Sequence, residues 1–369
     1  MCSSHELNKN PRIVDLFCGA GGFSLGAHMA GFEVAAAYDI DPILTSSFRK
    51  NFVSTNLLLK DISILRGDEV RKSAGGTVDG IIGGPPCQGF SDIGRRLTDD
   101  PRRELLGHFF RVVREVRPAF FIMENVPGLQ YTDARGVLEI ALKQVEEFYE
   151  IFGPNILDAS DFGAATKRSR LFVIGMHKGR ADPMQMRDIV EHKAVPSSVE
   201  AAISDLLHSV EIGEQDGFDW WRIEKKGRPT DYARLLRSVD REFTGHRKTS
   251  HSQKVINRFN EVPQGGKDIV GRHPRLAWNG LCPTLRAGTG ADRGSYQSVR
   301  PIHPTEDRVI TVREAARLQG FPDIHLFHPT IWHSFRMIGN SVSPIIAKAI
   351  LQAVRSKFDT AEMQLVAAE

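Results

Sequence analysis

The sequence predicts an α/β fold with a doubly wound, mostly parallel sheet and a second, smaller domain. Short apolar segments alternate with amphipathic segments from residue 13 to residue 175, which is the pattern of a parallel sheet covered by helices. After residue 180 the apolar segments shorten and basic residues accumulate, until helix signals return at Thr311. We therefore expect one domain built from residues 1–180 and 335–369, a small domain at 181–304 and a connecting segment at 305–334.

The first predicted strand, residues 13–17, leads into a turn that contains Gly19, Gly21 and Gly22. A helix over residues 23–30 and a second strand over 32–37 follow, and Asp39 ends that strand. Such glycines let a ligand approach the backbone, and an acidic residue about 20 positions later suits ribose hydroxyls. The pattern predicts a nucleoside site, although glycines also serve ordinary strand-to-helix turns.

Two later strands end in residues that could carry chemistry. The apolar residues 57–59 lead to Asp61 and Ile62, and the strand at 78–82 leads to Gly-Gly-Pro-Pro-Cys-Gln-Gly-Phe-Ser at 83–91. The two prolines stiffen this loop, so Cys87 is held rigidly at the sheet edge where α/β proteins bind ligands. We interpret Cys87 as a candidate nucleophile; the alternative is a small buried hydrophobic residue in a tight turn.

The next segments add a basic loop and a second candidate catalytic group. Residues 92–103 contain several arginines and form either a lid that meets phosphates or a solvated loop. A helix at 105–116 precedes a strand at 120–123 that ends in Glu124, and a further helix is predicted at 135–149. Arg168 and Arg170 alternate before the strand at 171–175, so both side chains can point to one face.

The segment from Arg222 to Arg300 combines about 17 Lys and Arg with about 7 Asp and Glu. Its aromatic residues, or those close to it, are Trp220, Trp221, Tyr232, Trp278 and Tyr296. A basic segment with aromatic residues predicts a nucleic-acid surface, and the alternative is a solvated basic face. Helix signals then return at 311–320, with Thr311 as cap and Glu314 three residues later, and at 345–354.

The composition is that of a globular protein. The 369 residues are 41% hydrophobic and 25% charged, with a net charge of +3. No apolar run approaches the roughly 20 residues of a membrane span, and the polar N-terminal segment has no signal-peptide core. Four scattered cysteines predict free thiols in a reducing compartment, and their spacing predicts no metal site.

Six motifs occur in a fixed order along the chain. They are Asp-Leu-Phe-Cys-Gly-Ala-Gly-Gly at 15–22, Pro-Pro-Cys-Gln-Gly-Phe-Ser at 85–91, Glu-Asn-Val at 124–126, Arg-Ser-Arg at 168–170, Arg-Leu-Gln-Gly-Phe-Pro at 317–322 and Gly-Asn-Ser-Val at 339–342. With this set the chain resembles the DNA cytosine-5 methyltransferases from about residue 13 to residue 354. The resemblance implies a Rossmann-like domain that uses S-adenosylmethionine, and it makes the basic segment a target-recognition domain.

The resemblance also implies a role for individual residues. Cys87 would attack C6 of cytosine, Glu124 would protonate N3, and Arg168 and Arg170 would hold the base near O2. The implied cofactor residues are Asp15, Phe17, Gly19, Gly21, Gly22, Asp39, Ile40, Asp61, Ile62, Gly84, Leu105, Asn340 and Val342. The residues expected to contact DNA are Ser91, Arg95, Arg96, Thr284, Arg286, Arg293, Gln297 and Arg300.

Some positions depart from the family pattern. Thr166 and Met337 stand where glutamine is common, Asp39 replaces a longer glutamate, and Ile40 replaces an aromatic residue that stacks on adenine. A relative that methylates cytosine in transfer RNA is one alternative, but its Cys-Phe-Thr segment is missing here. A catalytically inactive DNA-binding homologue is the other, and the four catalytic residues argue against it.

The resemblance predicts double-stranded DNA as the substrate and a restriction-modification system as the setting. We expect a cognate restriction endonuclease as a functional partner, a monomer without a membrane, and a location in the bacterial cytoplasm.

Overall fold

The strands that form the large sheet confirm the α/β prediction. The computed structural model describes residues 10–86, 104–224, 228–287 and 299–368, with the backbone alone at 132–134 and 358–368. The strands of this sheet are β1 (Arg12–Leu16), β2 (Glu33–Asp39), β3 (Asn56–Leu59), β4 (Gly80–Gly83), β5 (Phe120–Asn125), β6 (Tyr149–Asp158) and β7 (Ser169–His177).

The order of the strands places a crevice next to β1. The sheet runs β3-β2-β1-β4-β5-β7-β6, so the chain moves outward from β1 to β3 and then returns to the other side of β1 at β4. Strands β1 to β5 are parallel, and β7 is antiparallel to both β5 and β6. In open α/β sheets, ligands bind outside the carboxyl ends of the strands at such a change of direction.

The central strands bury both of their faces, which explains their continuous apolar sequences. Ile13 and Val14 point to different hydrophobic clusters, and so do Ile81 and Ile82. Helices α1 (Gly22–Met29) and α12 (Pro344–Ala368) pack together on one side. The helices on the other side are α3 (Gly67–Ser73), α4 (Glu104–Val116) and α5 (Thr132–Leu142), while the short α2 (Phe48–Asn51) precedes β3.

The helix predicted at 135–149 ends earlier than expected. Helix α5 ends at Leu142, and Tyr149 opens the edge strand β6 instead. The Tyr149 side chain is buried and its hydroxyl donates to the carbonyl of Pro118 at 2.8 Å. This long-range bond anchors the start of β6 and explains why a helical pattern in the sequence was misleading at this point.

A second, three-stranded sheet lies in the region predicted as the small domain. Its antiparallel strands are β8 (Ser209–Gln215), β9 (Phe218–Ile223) and β10 (Glu242–Thr244). The remaining α-helices of the described chain are α6 (Met186–Val190), α7 (Val199–Ile203), α8 (Asp231–Leu236), α9 (Gln253–Asn260), α10 (Val312–Gln319) and α11 (Ile331–Asn340).

Helix α10 begins and ends where the sequence predicts. The Thr311 hydroxyl accepts from the Glu314 amide, the Glu314 carboxylate accepts from the Thr311 amide, and Gly320 closes the helix with φ 92°. Its Arg317 is fully buried and donates to Asp323 at 2.7 Å and to Asp205 at 3.0 Å. This ion-pair cluster attaches α10 to the small domain.

One segment is long and apolar enough to cross a membrane by length and composition. It covers Ile331–Lys357, and 83% of its most apolar window is buried inside the protein. A core helix satisfies the same criteria, and here the segment packs against α1 and the sheet.

Replacing a helical glycine by alanine should have opposite effects at Gly26, which packs tightly against α12, and at Gly136, which lies in open space on α5. A Cβ atom at Gly26 would lie 2.4 Å from the Ala347 Cβ and 2.9 Å from the Lys348 amide nitrogen, whereas one at Gly136 meets nothing within 4 Å. We expect Gly26→Ala to destabilise the protein by about 1–3 kcal/mol through overpacking. Gly136→Ala should stabilise it by up to about 1 kcal/mol through helix propensity.

Chemical unfolding of the two variants beside the wild type measures both effects. Equal shifts of the unfolding midpoint in the same direction would contradict the packing of α1 on α12.

Candidate active site

The carboxyl ends of β1 to β5 surround one large cavity of about 730 Å³. Because parallel strands end at one edge of a sheet, side chains far apart in sequence meet there. Asp15 lies near the end of β1 and Phe17 directly follows that strand, Asp39 ends β2, and Glu124 lies one residue before the end of β5. The turn after α11 closes the cavity from another side.

The backbone after β1 is held in an uncommon conformation. Phe17 has φ 63° although it is not a glycine, and Gly19 has φ 50°. Asp39 supports this turn, since one carboxylate oxygen accepts from the Gly19 amide at 2.9 Å and the other from the Asp41 amide at 2.9 Å. Each oxygen retains a second acceptor position, which a ligand hydroxyl can use.

Asp15 is a buried carboxyl without a basic partner among the described residues. Its oxygen accepts from the Ser24 hydroxyl at 2.5 Å, and burial raises its pKa to about 7. Such a group is costly to keep ionised inside a protein. Because Asp15 lines the cavity, its burial indicates a role in the site and not a contribution to the stability of the fold.

Glu124 and Arg170 form a buried ion pair on the cavity wall. Arg170 Nε donates to Glu124 Oε1 at 2.9 Å, and both side chains are largely buried. The pairing needs β7 to run antiparallel to β5, because only then does the start of β7 meet the end of β5. Burial raises the pKa of Glu124, and the charges of Arg170 and Arg168 partly oppose that shift.

Gly84 and Pro85, which precede Cys87 in the chain, lie beside Glu124 and its neighbour Asn125. Asn125 Nδ2 donates to the carbonyl of Pro85 at 3.1 Å, and a Cβ atom at Gly84 would lie 3.0 Å from Glu124 Oε2. Pro86 lines the cavity. Cys87 itself lies outside the described residues.

Arg168 occupies a different place from Arg170. It does not line the cavity; its guanidinium is fully buried and donates to the carbonyls of Leu285, Gly339 and Ser341 at 2.7–3.0 Å. Leu285 lies in the segment at 282–287, Gly339 lies in the last turn of α11, and Ser341 directly follows that helix. Arg168 therefore holds two neighbouring segments in place, whereas the family resemblance implied that it holds the base.

The segment at 282–287 is joined closely to the large domain. Lys167 donates its amide to the Cys282 carbonyl at 2.9 Å, and the Thr284 hydroxyl donates to the Lys167 carbonyl at 2.7 Å. A Cβ atom at Gly339 would lie 2.3 Å from the Ala287 amide nitrogen. The backbone at Arg286 is thus packed against the turn that carries Asn340.

Most residues predicted to bind a cofactor surround the cavity. The exception is Gly21, whose α-carbon faces the ring of Phe52 at a distance that admits no Cβ. The predicted residues that line the cavity are Asp15, Phe17, Gly19, Gly22, Asp39, Ile40, Asp61, Ile62, Gly84, Leu105, Asn340 and Val342. Whether they bind a cofactor stays a prediction at this point.

Sequence reasoning missed several residues of the site. Asp41, Lys60 and His108 line the cavity, and Asn125 holds the Pro85 loop. Their position at or next to strand ends was a usable signal for Asp41, Lys60 and Asn125. His108 lies in the middle of α4, where nothing in the sequence separates it from a solvated helical residue.

The charge of the cavity wall favours a ligand without phosphate groups. Among the described residues, its two permanent cations, Lys60 and Arg170, are each paired with a carboxylate, Glu69 and Glu124. The carboxyl groups that face the cavity are those of Asp15, Asp39, Asp41, Asp61, Glu104 and Glu124. A nucleoside with a positively charged substituent fits such a wall, whereas a polyphosphate would be repelled. Within the described part of the chain, no group of three or more His, Cys, Asp and Glu could hold a metal ion.

The basic segment uses many of its charges internally, so the charge count overstates the surface open to DNA. Its ion pairs are Arg222–Glu242, Arg234–Asp231, Arg237–Asp205, Arg247–Glu214, Lys248–Glu306, Arg258–Asp268 and Arg275–Asp307. Three of its aromatic residues also have partners inside the protein: Trp221 donates to Asp219, the Tyr232 hydroxyl donates to the Arg317 carbonyl, and Trp278 contacts His303.

A smaller set of cations remains available. Arg286 is exposed and Arg300 is partly buried, with its guanidinium 5.1 Å from the ring centre of Phe335. Neither forms an ion pair with a described carboxylate. Five other residues predicted to contact DNA lie outside the described ranges: Ser91, Arg95, Arg96, Arg293 and Gln297.

Comparisons with known proteins agree on one family. The family described as C-5 cytosine-specific DNA methylase matches residues 11–356. Type II methyltransferase M.XorII of Xanthomonas oryzae pv. oryzae is 40% identical, over 94% of this chain and 86% of the relative. Type II methyltransferase M.DdeI of Desulfomicrobium norvegicum is 31% identical, over 94% and 89%.

A solved structure has the same fold. It is an E. coli prophage-encoded protein described as a DNA modification methyltransferase, with a TM-score of 0.81 and 37% identity. The alignment covers 95% of this chain and 100% of that one.

The raised pKa of Asp15 predicts a stability penalty that grows with pH. The folded protein holds the proton up to about pH 7, while the unfolded chain releases it near the ordinary value of 3.8. Wild-type stability should therefore fall between these values relative to Asp15→Asn, which does not titrate. Between pH 4 and pH 8 we expect the free energy of unfolding of the variant to rise by on the order of 2–4 kcal/mol relative to that of the wild type.

Urea unfolding of both proteins across this pH range measures the contribution of Asp15 together with its electrostatic coupling to Asp39. A stability difference that does not change with pH would show that Asp15 ionises as freely in the folded protein as in the unfolded chain.

Proposed function

Because this chain belongs to the C-5 cytosine-specific DNA methylase family, and is a DNA cytosine-5 methyltransferase of the restriction-modification type, we propose how its site performs the reaction. A cytosine leaves the stack of duplex DNA and enters the cavity, and Cys87 forms a covalent bond to C6 while a methyl group is transferred to C5. The observation that carries the proposal is the buried Glu124–Arg170 pair, which lies beside Gly84, three residues before Cys87, and in the same cavity as Asp39 and Asp61.

The reaction needs a nucleophile because C5 of cytosine is unreactive by itself. The Cys87 thiolate adds to C6, the ring electrons move toward N3, and Glu124 gives N3 a proton. C5 is then an enamine carbon and accepts the methyl group. Loss of the C5 proton to water, cleavage of the Cys87–C6 bond and return of the N3 proton to Glu124 leave 5-methylcytosine, the free thiolate and a protonated Glu124.

Both protein groups must depart from their ordinary protonation states. A thiol with a pKa of about 8.5 is only a few per cent thiolate at neutral pH, and a glutamate near 4.3 is protonated only to a few parts per thousand. Burial raises the pKa of Glu124 and so increases the protonated fraction. Arg170 orients this carboxyl and contacts the base near O2, whereas Arg168 positions the surrounding segments.

S-adenosylmethionine supplies an electrophilic methyl group on a sulfonium centre when it is bound. The carboxyl-rich wall suits that positive charge. In the proposal Asp39 accepts from the ribose hydroxyls and Asp61 and Ile62 contact the adenine edge; all three residues line the cavity. Phe17 and Ile40 would cover the ring; Ile40 is 67% exposed.

Duplex DNA is the proposed substrate, and flipping one base out of it costs a few kcal/mol. Arg286 and Arg300 are proposed phosphate or base contacts, together with the predicted residues outside the described ranges. The proposal includes a cognate endonuclease as functional partner, a monomeric enzyme and a bacterial cytoplasmic location.

The covalent step predicts trapping of the enzyme on modified DNA. In duplex DNA with 5-fluorocytosine at the target, C5 carries fluorine and cannot lose a proton, so the Cys87–C6 bond should persist. We expect a complex that survives a denaturing gel with the wild type and with Cys2→Ala, and none with Cys87→Ala. A trapped complex with Cys87→Ala would overturn the assignment of the nucleophile.

The proton transfer from Glu124 predicts a large rate effect for a small change. Glu124→Gln keeps the shape and can donate a hydrogen bond but cannot transfer a proton, so methyl transfer should fall by about 100-fold or more. The rate is measured as transfer of labelled methyl groups from S-adenosylmethionine to duplex DNA. Transfer RNA is offered as a competing substrate, to test the alternative activity. Unchanged activity of this variant would remove Glu124 from the mechanism.

Bisulfite mapping of DNA from a methylation-free host that expresses the wild-type protein identifies the target sequence.

A further inference from the structure

Helix α4 presents two side chains to the cavity and a third to the turn beside it. Leu105, His108 and Arg111 are spaced three residues apart, so they lie on one face of the helix. Leu105 and His108 line the cavity. Arg111 lies one turn further along the helix and contacts the turn that carries Asp61 and Ile62.

Arg111 fixes this turn to the helix. Its guanidinium donates to the carbonyls of Ile62 at 2.9 Å and Leu65 at 2.8 Å, and to Glu115 on the next turn of α4 at 2.9 Å. Glu115 in turn accepts from the Gly67 amide at 2.7 Å. The Asp61–Ile62 turn and α4 therefore form one rigid wall.

The same arginine determines which nitrogen of His108 carries the proton. Arg111 Nε lies 3.3 Å from His108 Nδ1, and an arginine can only donate. Nδ1 must therefore accept, so the neutral ring carries its hydrogen on Nε2. Burial, followed by the charge of Arg111, lowers the pKa of His108, which keeps the ring neutral at physiological pH.

The Nε2 hydrogen has no acceptor among the described residues, and His108 and Asp61 both line the cavity. Asp61 uses one carboxylate oxygen to cap the Ser63 amide at 2.8 Å, and the charge of Asp61 acts on His108. Asp61 and His108 thus give the same cavity wall an acceptor and a donor. Adenine has the complementary pattern, an amine between two ring nitrogens that accept hydrogen bonds.

We propose that His108 is an adenine-recognition residue that donates Nε2–H to a ring nitrogen beside the amine held by Asp61. Arg111 is its positioning residue. This inference rests on the proposed use of S-adenosylmethionine, because the acceptor for the His108 N–H group is a ring nitrogen of that molecule's adenine. It explains why α4 presents a tautomer-fixed histidine, rather than a second apolar residue, to the cavity.

Calorimetric titration of the full-length protein with S-adenosylhomocysteine tests the proposal. His108→Phe keeps a ring of similar size but has no donor, and we expect its affinity to fall about three- to tenfold. His108→Gln retains an N–H group and should stay within about twofold of the wild type. His177→Phe is the matched control, because His177 is also partly buried but lies at the far end of β7, and its affinity should not change.

Two analogues of S-adenosylhomocysteine identify the contact, one with N1 and one with N7 replaced by C–H. We expect one of the two analogues to bind the wild type and His108→Phe with equal affinity. That analogue lacks the ring nitrogen that accepts from His108, so removing the donor costs nothing further. An equal loss for the parent and both analogues, or no loss with His108→Phe, would overturn the role of His108. Failure of the wild type to bind S-adenosylhomocysteine would instead overturn the proposed cofactor.

Discussion

The catalytic side of the cavity depends on the ion pair between Glu124 and Arg170. The two residues come from β5 and β7, and they meet because β7 reverses the direction of the sheet. In a fully parallel sheet the start of β7 would lie at the opposite edge, about a strand length away. The one reversed strand among β1 to β7 thus brings a cation to the carboxyl edge, where the other strands deliver mainly carboxylates.

That pair is also the point to which neighbouring segments are attached. Asn125 holds the Pro85 loop, Gly84 leaves room for the Glu124 carboxyl, and Arg168 binds the carbonyls behind it. A buried charge is destabilising unless it is paired and hydrogen-bonded, so these contacts constrain one another. The arrangement leaves a carboxyl of raised pKa beside Gly84, and a raised carboxyl pKa is a requirement of the proposed proton transfer.

The opposite side of the cavity is built on a different principle. Asp39 and Asp61 each use a carboxylate oxygen to hold a backbone turn, and Arg111 fixes the Asp61 turn to α4. Asp15 has no cation beside it among the described residues and keeps a pKa of about 7. The protein therefore retains a carboxyl that stability alone would not favour, which is common where function requires a particular group.

The sequence alone determined the sheet, the edge at which the site lies and most of the residues around the cavity. Those features follow from local patterns, since apolar segments become strands and the residues after parallel strands converge. Tertiary structure decided the rest. It separated Arg170 from Arg168, turned Gly21 toward Phe52, ended α5 before Tyr149 and neutralised much of the basic segment with carboxylates. Each of these outcomes depends on a partner far away in the chain, and local pattern carries no information about such partners.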